Sequence, residues 1–226
     1  STVILEDIIF LFKKLKNNCL ENYSFNNAMS RVFKRLNNAK ETAFHLEKMI
    51  ESKDVSIGNL CDYIYHKSFN KDWSQSHFLD YGKYLDKKLF NYPLDQILNF
   101  PKEDKNKIKI GFFSGDVCHS HSITYFLKTI FSTYDKKKYE IYLILNQDIE
   151  DSTTKIFRDF AFETINVIKQ DDIEAINQIR SLNLDCIFDL MGITSTNRIN
   201  LFKNRLAKKQ FLWLGYCNTL GIKNMD

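Results

Sequence analysis

The 226-residue sequence contains few of the residues that most often interrupt regular structure, with only 7 glycines and 2 prolines. Average usage would be about 7% glycine and about 5% proline. This scarcity predicts long regular elements, mostly helices, joined by loops rich in Asn, Asp and Ser. Hydrophobic residues at 44% and charged residues at 27% are close to the globular average, which excludes a disordered or collagen-like chain.

Long apolar runs and targeting features are also missing. The most apolar stretch near the start, residues 3–15, is interrupted by Glu6, Asp7 and two lysines, so it resembles neither a membrane span nor a signal peptide. The net charge of +4 is small, and the lysine run at 136–138 is typical of a solvated turn. We therefore expect no membrane and no nucleic acid among the partners.

Metal-binding patterns are absent from the cysteines. The five cysteines have neither CxxC nor Cys/His spacing, which predicts reduced thiols, no metal site and a cytoplasmic protein. Cys217 as a nucleophile is disfavoured because no His follows it to support a cysteine hydrolase. His45, His66 and His77 have no ligand spacing, and we expect them to be structural or exposed.

The first part of the chain has a helical period. Apolar residues recur at intervals of three and four, which predicts helices over residues 4–15, 25–33, 43–50, 56–65 and 76–89. Ser24 and Ser74 are expected to cap the second and the fifth of these helices. The spacing is compatible with a degenerate tetratricopeptide-like region, and a plain helical cap is the alternative.

The second part of the chain has a different period. Pro93 and Pro101 bracket a linker that ends in a charged run, so we place a helical domain at 1–105 and a second domain at 106–226. Near-continuous apolar runs predict strands at 108–113, 139–145, 164–168, 185–190 and 210–214. Helices are predicted between them at 122–134, 152–162, 171–182 and 197–203. This alternation is typical of a Rossmann-like parallel sheet covered on both faces.

Ligands of such sheets bind at the carboxyl ends of the strands. The first strand is followed by Asp116, His119 and His121 at a helix N-terminus, without a GxGxxG or Walker motif. These residues indicate a general base or a phosphate-facing group, and the alternative is a capped turn with exposed histidines. After the fourth strand, Arg198 could pair with a phosphate or a carboxylate, or remain solvated.

Four segments carry a family resemblance. The segments 109–116, 121–127, 189–198 and 210–216 resemble, in the same order, sequence blocks of the protein O-GlcNAc transferases, family 41 of the glycosyltransferases. The family has a GT-B fold, in which two Rossmann-like halves face each other across a cleft. The resemblance implies that this chain holds the end of the helical region and the first half. We therefore expect a fragment at both ends, inactive without the second half.

The resemblance also implies a reaction and its participants. A Ser or Thr hydroxyl of an acceptor protein attacks the anomeric carbon of UDP-GlcNAc with inversion, and UDP leaves. No metal and no cofactor other than the UDP-sugar donor is expected. Two alternatives remain open: a non-catalytic helical-repeat module with a degenerate Rossmann domain, and an asparagine-linked glucosyltransferase of the same family.

The site residues follow from the resemblance position by position. His121 and Asp116 match the catalytic histidine and aspartate of the family pattern, with His119 left as a rival because one extra residue separates the pair. The positions implied to bind substrate are Thr194, Arg198, Leu214, Gly215 and Thr219. The chain departs from the family pattern at Ile193, where His or Tyr is usual, and at Cys217-Asn218, where Pro-Gly is usual.

Overall fold

The computed structural model describes residues 19–51, 55–69, 71–92, 107–119, 121–194 and 196–226, together with positions 7, 9, 10 and 14. The helix predicted over residues 4–15 therefore lies largely outside the described residues. The chain forms two compact units, which divide between Tyr81 and Gly82. The domain boundary predicted at 105–106 lies within the stretch 93–106, outside the described residues, and stays a prediction.

The first unit is helical, as the sequence period predicts. Its helices are α1 (Tyr23–Arg35), α2 (Ala39–Ile50) and α3 (Ile57–Lys67), and α4 (Gln75–Lys88) begins there. The side chains of Asn22, Asn38 and Ser56 accept hydrogen bonds from backbone N–H groups of the first turns and so cap these helices. Ser24 is not the cap, because the helix begins one residue earlier and Asn22 takes that role.

His45 is a structural residue of this unit, as expected. Its side chain is buried at 2% exposure, and Nδ1 lies 2.9 Å from Oδ1 of Asn26. Its ring stacks on Phe33 with centroids 5.6 Å apart. A buried imidazole with a hydrogen-bond partner and aromatic neighbours links α1 to α2 and is not available for chemistry.

The second unit contains a five-stranded sheet that is parallel throughout. Its strands are β1 (Ile108–Ser114), β2 (Tyr139–Leu145), β3 (Glu163–Asn166), β4 (Cys186–Asp189) and β5 (Lys209–Leu212). They lie in the order β3-β2-β1-β4-β5, and every neighbouring pair is parallel. The predicted fold class is confirmed: helices are followed by a Rossmann-like sheet half.

Helices cover both faces of this sheet. They are α5 (Ile123–Thr133), α6 (Ser152–Phe160), α7 (Asp172–Ser181) and the short α8 (Ile199–Lys203). Phe112 packs with residues of α5 and α6 in one apolar cluster, and its neighbour Phe113 packs with α7 and α8 in another. Burial on both faces explains why the strands are continuous apolar runs.

Asn204 joins the segment after α4 to the end of α8. Its side chain, 4% exposed, donates to the carbonyls of Phe90 at 3.0 Å and Asn200 at 2.8 Å. Its Oδ1 accepts from the backbone N–H of Tyr92 at 2.9 Å. One buried amide therefore satisfies three backbone groups within the second unit.

We expect Asn204→Ala to lower the free energy of unfolding of the second unit by about 2–4 kcal/mol, because three partly buried backbone groups lose their hydrogen bonds to this amide. The chain has two tryptophans, and only Trp213 lies in this unit, so urea unfolding followed by its fluorescence in a Trp73→Phe background reports the change. Asn91→Ala, at the exposed neighbouring position, is the control. Equal stability of the two variants would contradict this role.

Candidate functional site

The carboxyl ends of β1, β4 and β5 meet at one edge of the sheet. The backbone N–H of Gly115, after β1, lies 3.0 Å from Sδ of Met191, after β4. Gly215, after β5, lies so close to the loop after β4 that a Cβ there would be 1.7 Å from the carbonyl oxygen of Leu190. The order of the strands reverses between β1 and β4, and ligands bind at such a switch point.

The loop after β1 brings together the two residues predicted to be catalytic. Nε2 of His121 lies 3.9 Å from Oδ2 of Asp116. The backbone N–H of Ile123 points at Nδ1 of His121 at 3.4 Å, so the neutral ring carries its proton on Nε2, towards the carboxylate. The side chains are 43% and 28% exposed, which leaves the pair accessible to a ligand.

The environment of Asp116 makes it a better base than an ordinary surface carboxylate. Burial raises the pKa of Asp116, and the nearby His121 lowers it in part. A raised pKa lets the carboxylate accept a proton more readily near neutral pH, while His121 can donate a hydrogen bond or relay a proton.

The rival histidine occupies a different position. His119 is exposed, and its backbone N–H donates to Oδ2 of Asp151 at 2.7 Å. Within the part of the chain that the structure describes, no contact joins the side chain of His119 to Asp116. The geometry therefore favours His121 as the partner of the carboxylate.

Asp189 shapes the loop after β4. Its carboxylate is 1% exposed and accepts the N–H groups of Met191 at 2.9 Å and Gly192 at 3.1 Å. Gly192 has a φ of 61°, a backbone conformation that suits glycine. Thr194 follows, and its hydroxyl donates to the carbonyl of Met191 at 2.8 Å. Asp189 thus fixes the turn that presents Thr194, although the sequence analysis did not single it out.

A pH-dependent stability follows from Asp189. Burial raises its pKa to about 6, and the two N–H groups only partly oppose this. The folded state then holds the proton more tightly than the unfolded state, so the free energy of unfolding falls as pH rises from about 4 to about 6. We expect this residue to contribute about 2–3 kcal/mol over that interval and little change above it.

The measurement compares the parent chain with Asp189→Asn by urea unfolding between pH 4 and pH 7. The difference in the free energy of unfolding between the two should change over this interval, because Asn does not titrate. A pH-independent difference would show that the carboxylate is not desolvated as described.

Arg198 pairs with a carboxylate of the fold itself. Its Nε lies 3.1 Å from Oδ1 of Asp172, Nη2 bonds to the same oxygen, and Nη1 donates to the carbonyl of Val167 at 2.8 Å. Its side chain is 14% exposed. The guanidinium therefore ties the loop after β4 to the start of α7, and its role in substrate binding stays a prediction.

The loop after β5 contains an unusual turn. Gly215 N–H donates to the carbonyl of Trp213 at 2.9 Å, and Leu214 between them has a φ of 73°. This γ-turn is rare and strained for a non-glycine residue, and such conformations cluster at ligand sites. It also ends the strand at Leu212, two residues earlier than predicted.

A cleft of about 660 Å³ lies beside this turn, and Leu214 and Thr219 are among its lining residues. Thr219 accepts the N–H of Gly221 at 3.3 Å. Cys217 in the same loop is an exposed free thiol. The sequence-predicted residues at 214, 215 and 219 therefore share one loop, whereas Asp116 and His121 lie on another.

The described ranges contain neither a candidate metal-binding cluster nor a candidate membrane span. No group of three or more His, Cys, Asp or Glu side chains there could hold a metal ion. Among the same residues no helix is both long and apolar enough to cross a bilayer.

Comparison with known proteins agrees with the geometry of the sheet. Residues 67–226 match the model of glycosyl transferase family 41. Proteins named as probable UDP-N-acetylglucosamine–peptide N-acetylglucosaminyltransferase SPINDLY, from Arabidopsis thaliana and Petunia hybrida, are 29% and 27% identical over 129 residues. Each alignment covers 55% of this chain and 14% of the relative, so the chain spans a small part of their length.

A solved structure resembles the chain over nearly its whole length. A mutant O-GlcNAc transferase from Thermobaculum terrenum superposes with a TM-score of 0.76 at 20% identity, over 96% of this chain and 42% of that protein. The likeness shows that the helices and the parallel sheet have the fold of one part of a GT-B protein. Together with the matched family model, which covers more than half of the residues, it leads to one conclusion: the chain belongs to glycosyl transferase family 41.

Proposed function

We propose that this chain is the first Rossmann-like half of the catalytic region of a protein glycosyltransferase, and that the enzyme transfers N-acetylglucosamine from UDP-GlcNAc to Ser or Thr side chains with inversion. Membership of family 41 supports a transferase. The finer reading is supported by one observation above all, the pairing of His121 with Asp116 at the switch point of the sheet, 3.9 Å apart.

The proposed reaction is a single displacement. The acceptor hydroxyl oxygen forms a bond to the anomeric carbon while the bond from that carbon to the β-phosphate oxygen breaks. The electron pair leaves with UDP, and the hydroxyl proton passes to Asp116, directly or through His121. No cofactor other than the donor is called for, and we assign stabilisation of the departing diphosphate to the second half of the GT-B fold.

The loops after β4 and β5 are assigned to the donor sugar. The γ-turn at Leu214 and the close approach of Gly215 to Leu190 bring backbone rather than side chain to the edge of the cleft. Thr219 lines that cleft, and Thr194 stands on the turn fixed by Asp189. Arg198 is proposed to act by holding this turn in place through Asp172.

One observation favours a different sugar. Ile193 is 2% exposed and apolar where the family pattern has His or Tyr, so it offers no polar contact to a donor. Cys217-Asn218 stands where the pattern has Pro-Gly. The second candidate is therefore a family 41 transferase that uses another UDP-sugar, such as the asparagine-linked glucosyltransferase considered from the sequence.

Partners and location belong to the same proposal. The acceptor is a protein, held in part by the helical unit, which we interpret as the degenerate end of a tetratricopeptide-like region. All five cysteines are free thiols, which suits the cytoplasm. We expect neither nucleic acid nor a membrane to be involved.

The test incubates the protein that contains this chain with a protein acceptor and, in separate reactions, UDP-GlcNAc and UDP-glucose. Mass spectrometry of the acceptor identifies the sugar and the modified side chain, and NMR of a glycopeptide product gives the anomeric configuration. Transfer of N-acetylglucosamine to Ser or Thr in the inverted configuration supports the first candidate. Transfer of glucose to Asn supports the second, and failure of both donors supports the non-catalytic binding module.

A further inference from the structure

The loop that carries Asp116 and His121 is held by the segment that follows β2. The side-chain amide of Gln147 pairs with both polar groups of Val117: Oε1 accepts the N–H at 2.8 Å, and Nε2 donates to the carbonyl at 3.1 Å. Nε2 also donates to the carbonyl of Ile149 at 2.8 Å, which orients the amide. A primary amide that pairs with both backbone polar groups of one residue in this way holds the two peptide groups on either side of its Cα.

Two further side chains of the same segment reach the loop. The hydroxyl of Thr154 donates to the carbonyl of Val117 at 2.6 Å, and Oδ2 of Asp151 accepts the N–H of His119 at 2.7 Å. Asp151 is also the N-cap of α6, where its Oδ1 accepts the N–H of Thr154 at 3.0 Å. The pKa of Asp151 lies below its usual range, and the hydrogen bond from the backbone N–H of His119 is the largest cause. The carboxylate therefore stays charged.

These contacts reach the catalytic pair through the backbone of the loop. The N–H of Cys118 donates to the carbonyl of Asp116 at 2.9 Å, and the N–H of His121 donates to the carbonyl of Cys118 at 3.2 Å. Fixing Val117 and His119 therefore restrains Asp116 and Cys118, which are bonded to them in the chain. At the far end, Thr124 of α5 donates its hydroxyl to the carbonyl of His121 at 2.8 Å.

Burial makes the contacts of Gln147 hard to replace. Gln147 is 7% exposed and Val117 and Thr154 are fully buried, so water has little access to the groups that would be left unpaired. A buried backbone N–H or carbonyl without a partner is costly. Loss of the Gln147 amide should therefore move the loop rather than leave it in place.

We propose that Gln147, supported by Asp151 and Thr154, is a positioning residue for the reaction, and we call these three residues the loop clamp. The clamp sets the distance between His121 and Asp116 and keeps the Asp116 carboxylate half-buried. The titratable residues of the loop itself are Asp116, Cys118, His119 and His121, and Asp151 of the clamp faces them. The catalytic consequence of the clamp rests on the proposed function, but its structural consequence does not.

The test replaces Gln147 with Met, which keeps the size and removes the hydrogen bonds. Carbon-13 NMR of the carboxyl group follows the titration of Asp116, and amide hydrogen exchange follows Val117. We expect the pKa of Asp116 to fall towards its usual value, because burial is its largest cause, and exchange at Val117 to quicken about tenfold or more. An unchanged pKa of Asp116 with unchanged protection of Val117 would overturn the proposal.

The matched control is Gln170→Met. Gln170 follows β3 and donates to the side-chain Oε1 of Gln178 at 2.7 Å, so its replacement removes an amide hydrogen bond of a Gln side chain away from the loop. The Gln170→Met variant should leave the pKa of Asp116 and the amide exchange rate of Val117 unchanged. If Gln147→Met does not fold, the same measurements are made on Thr154→Val and Thr154→Ser. Thr154→Val should lower the pKa of Asp116 and quicken exchange at Val117. Thr154→Ser keeps a hydroxyl and should leave both as in the parent. Equal behaviour of Val and Ser would count against the clamp.

A kinetic measurement on the protein that contains this chain addresses the catalytic consequence. Gln147→Met should lower kcat about tenfold or more and change KM for UDP-GlcNAc less than about twofold, because the catalytic pair and not the donor site is displaced. A higher KM at constant kcat would assign Gln147 to donor binding and overturn its positioning role. If the parent protein transfers no sugar, the proposed function fails while the NMR result still decides the clamp.

Discussion

His121→Ala is expected to lower the rate of sugar transfer by the protein that contains this chain about 10²- to 10⁴-fold. The expected loss has this size because a positioned acid or base contributes that much to a reaction. The ring lies 3.9 Å from Asp116, and its side chain is 43% exposed. Its removal should therefore leave the fold intact, and the free energy of unfolding should change by less than about 1 kcal/mol.

His119→Ala is the matched control for this prediction. His119 is an exposed histidine two residues away, and its contribution to the loop is a backbone N–H that alanine retains. We expect it to change the transfer rate less than about fivefold, well below the effect of a lost catalytic group. Initial rates at saturating UDP-GlcNAc compare the two variants. Similar rates for both would contradict the assignment of His121 as the functional histidine, and a larger loss in His119→Ala would show that the extra residue in the loop has moved that role to His119.

Gly215→Ala is expected to lower the free energy of unfolding of the second unit by about 3–5 kcal/mol, or to prevent its folding. A Cβ at this position would lie 1.7 Å from the carbonyl oxygen and 2.6 Å from the carbonyl carbon of Leu190. Both atoms are backbone, so no side chain can rotate away. The loops after β4 and β5 would have to separate, and the γ-turn at Leu214 would be lost with them.

Gly58→Ala provides the contrast. Gly58 lies in α3, and the nearest atom to a Cβ there is Oγ of Ser56 at 4.0 Å. Alanine in an open helical position should stabilise the first unit by about 0.5–1 kcal/mol. Trp73 and Trp213 lie in different units, so fluorescence with one of them replaced by Phe reports each unit separately. A Gly215→Ala chain as stable as its parent would contradict the close approach described here.

The sheet was predictable because its strands are buried on both faces. The predicted strand at 139–145 coincides with β2, and the strand predicted at 108–113 ends one residue short of β1. Such strands are continuous apolar runs between helical periods, and this signal is local. The strand predicted at 210–214 ends at Leu212 instead, because the positive φ of Leu214 turns the chain. A Leu-Gly pair in the sequence does not by itself predict such a turn.

The site was only partly predictable. Residues at strand ends were found because parallel strands bring their carboxyl ends to one edge. The choice between His119 and His121 stayed open in the sequence, since a residue count does not determine the path of a loop. The side-chain amide of Gln147 bonds to the backbone N–H and carbonyl of Val117, 30 residues away. A contact of a side chain with distant backbone leaves no trace in periodicity or composition.

Arg198 illustrates the same limit. The sequence allowed a phosphate, a carboxylate or solvent as its partner, and the structure supplies the carboxylate of Asp172. Asp172 is the first residue of α7, 26 positions earlier in the chain. The helix was predicted at 171–182, but the pairing of Asp172 with Arg198 depends on the fold of the sheet.

The most direct test of the account is the transfer reaction itself, with the folded protein that contains this chain, UDP-GlcNAc and a protein acceptor. We expect the parent protein to release UDP and to attach N-acetylglucosamine to Ser or Thr of the acceptor. We expect both products to be lost in His121→Ala. A folded protein that binds the acceptor but releases no UDP from either UDP-GlcNAc or UDP-glucose would contradict it.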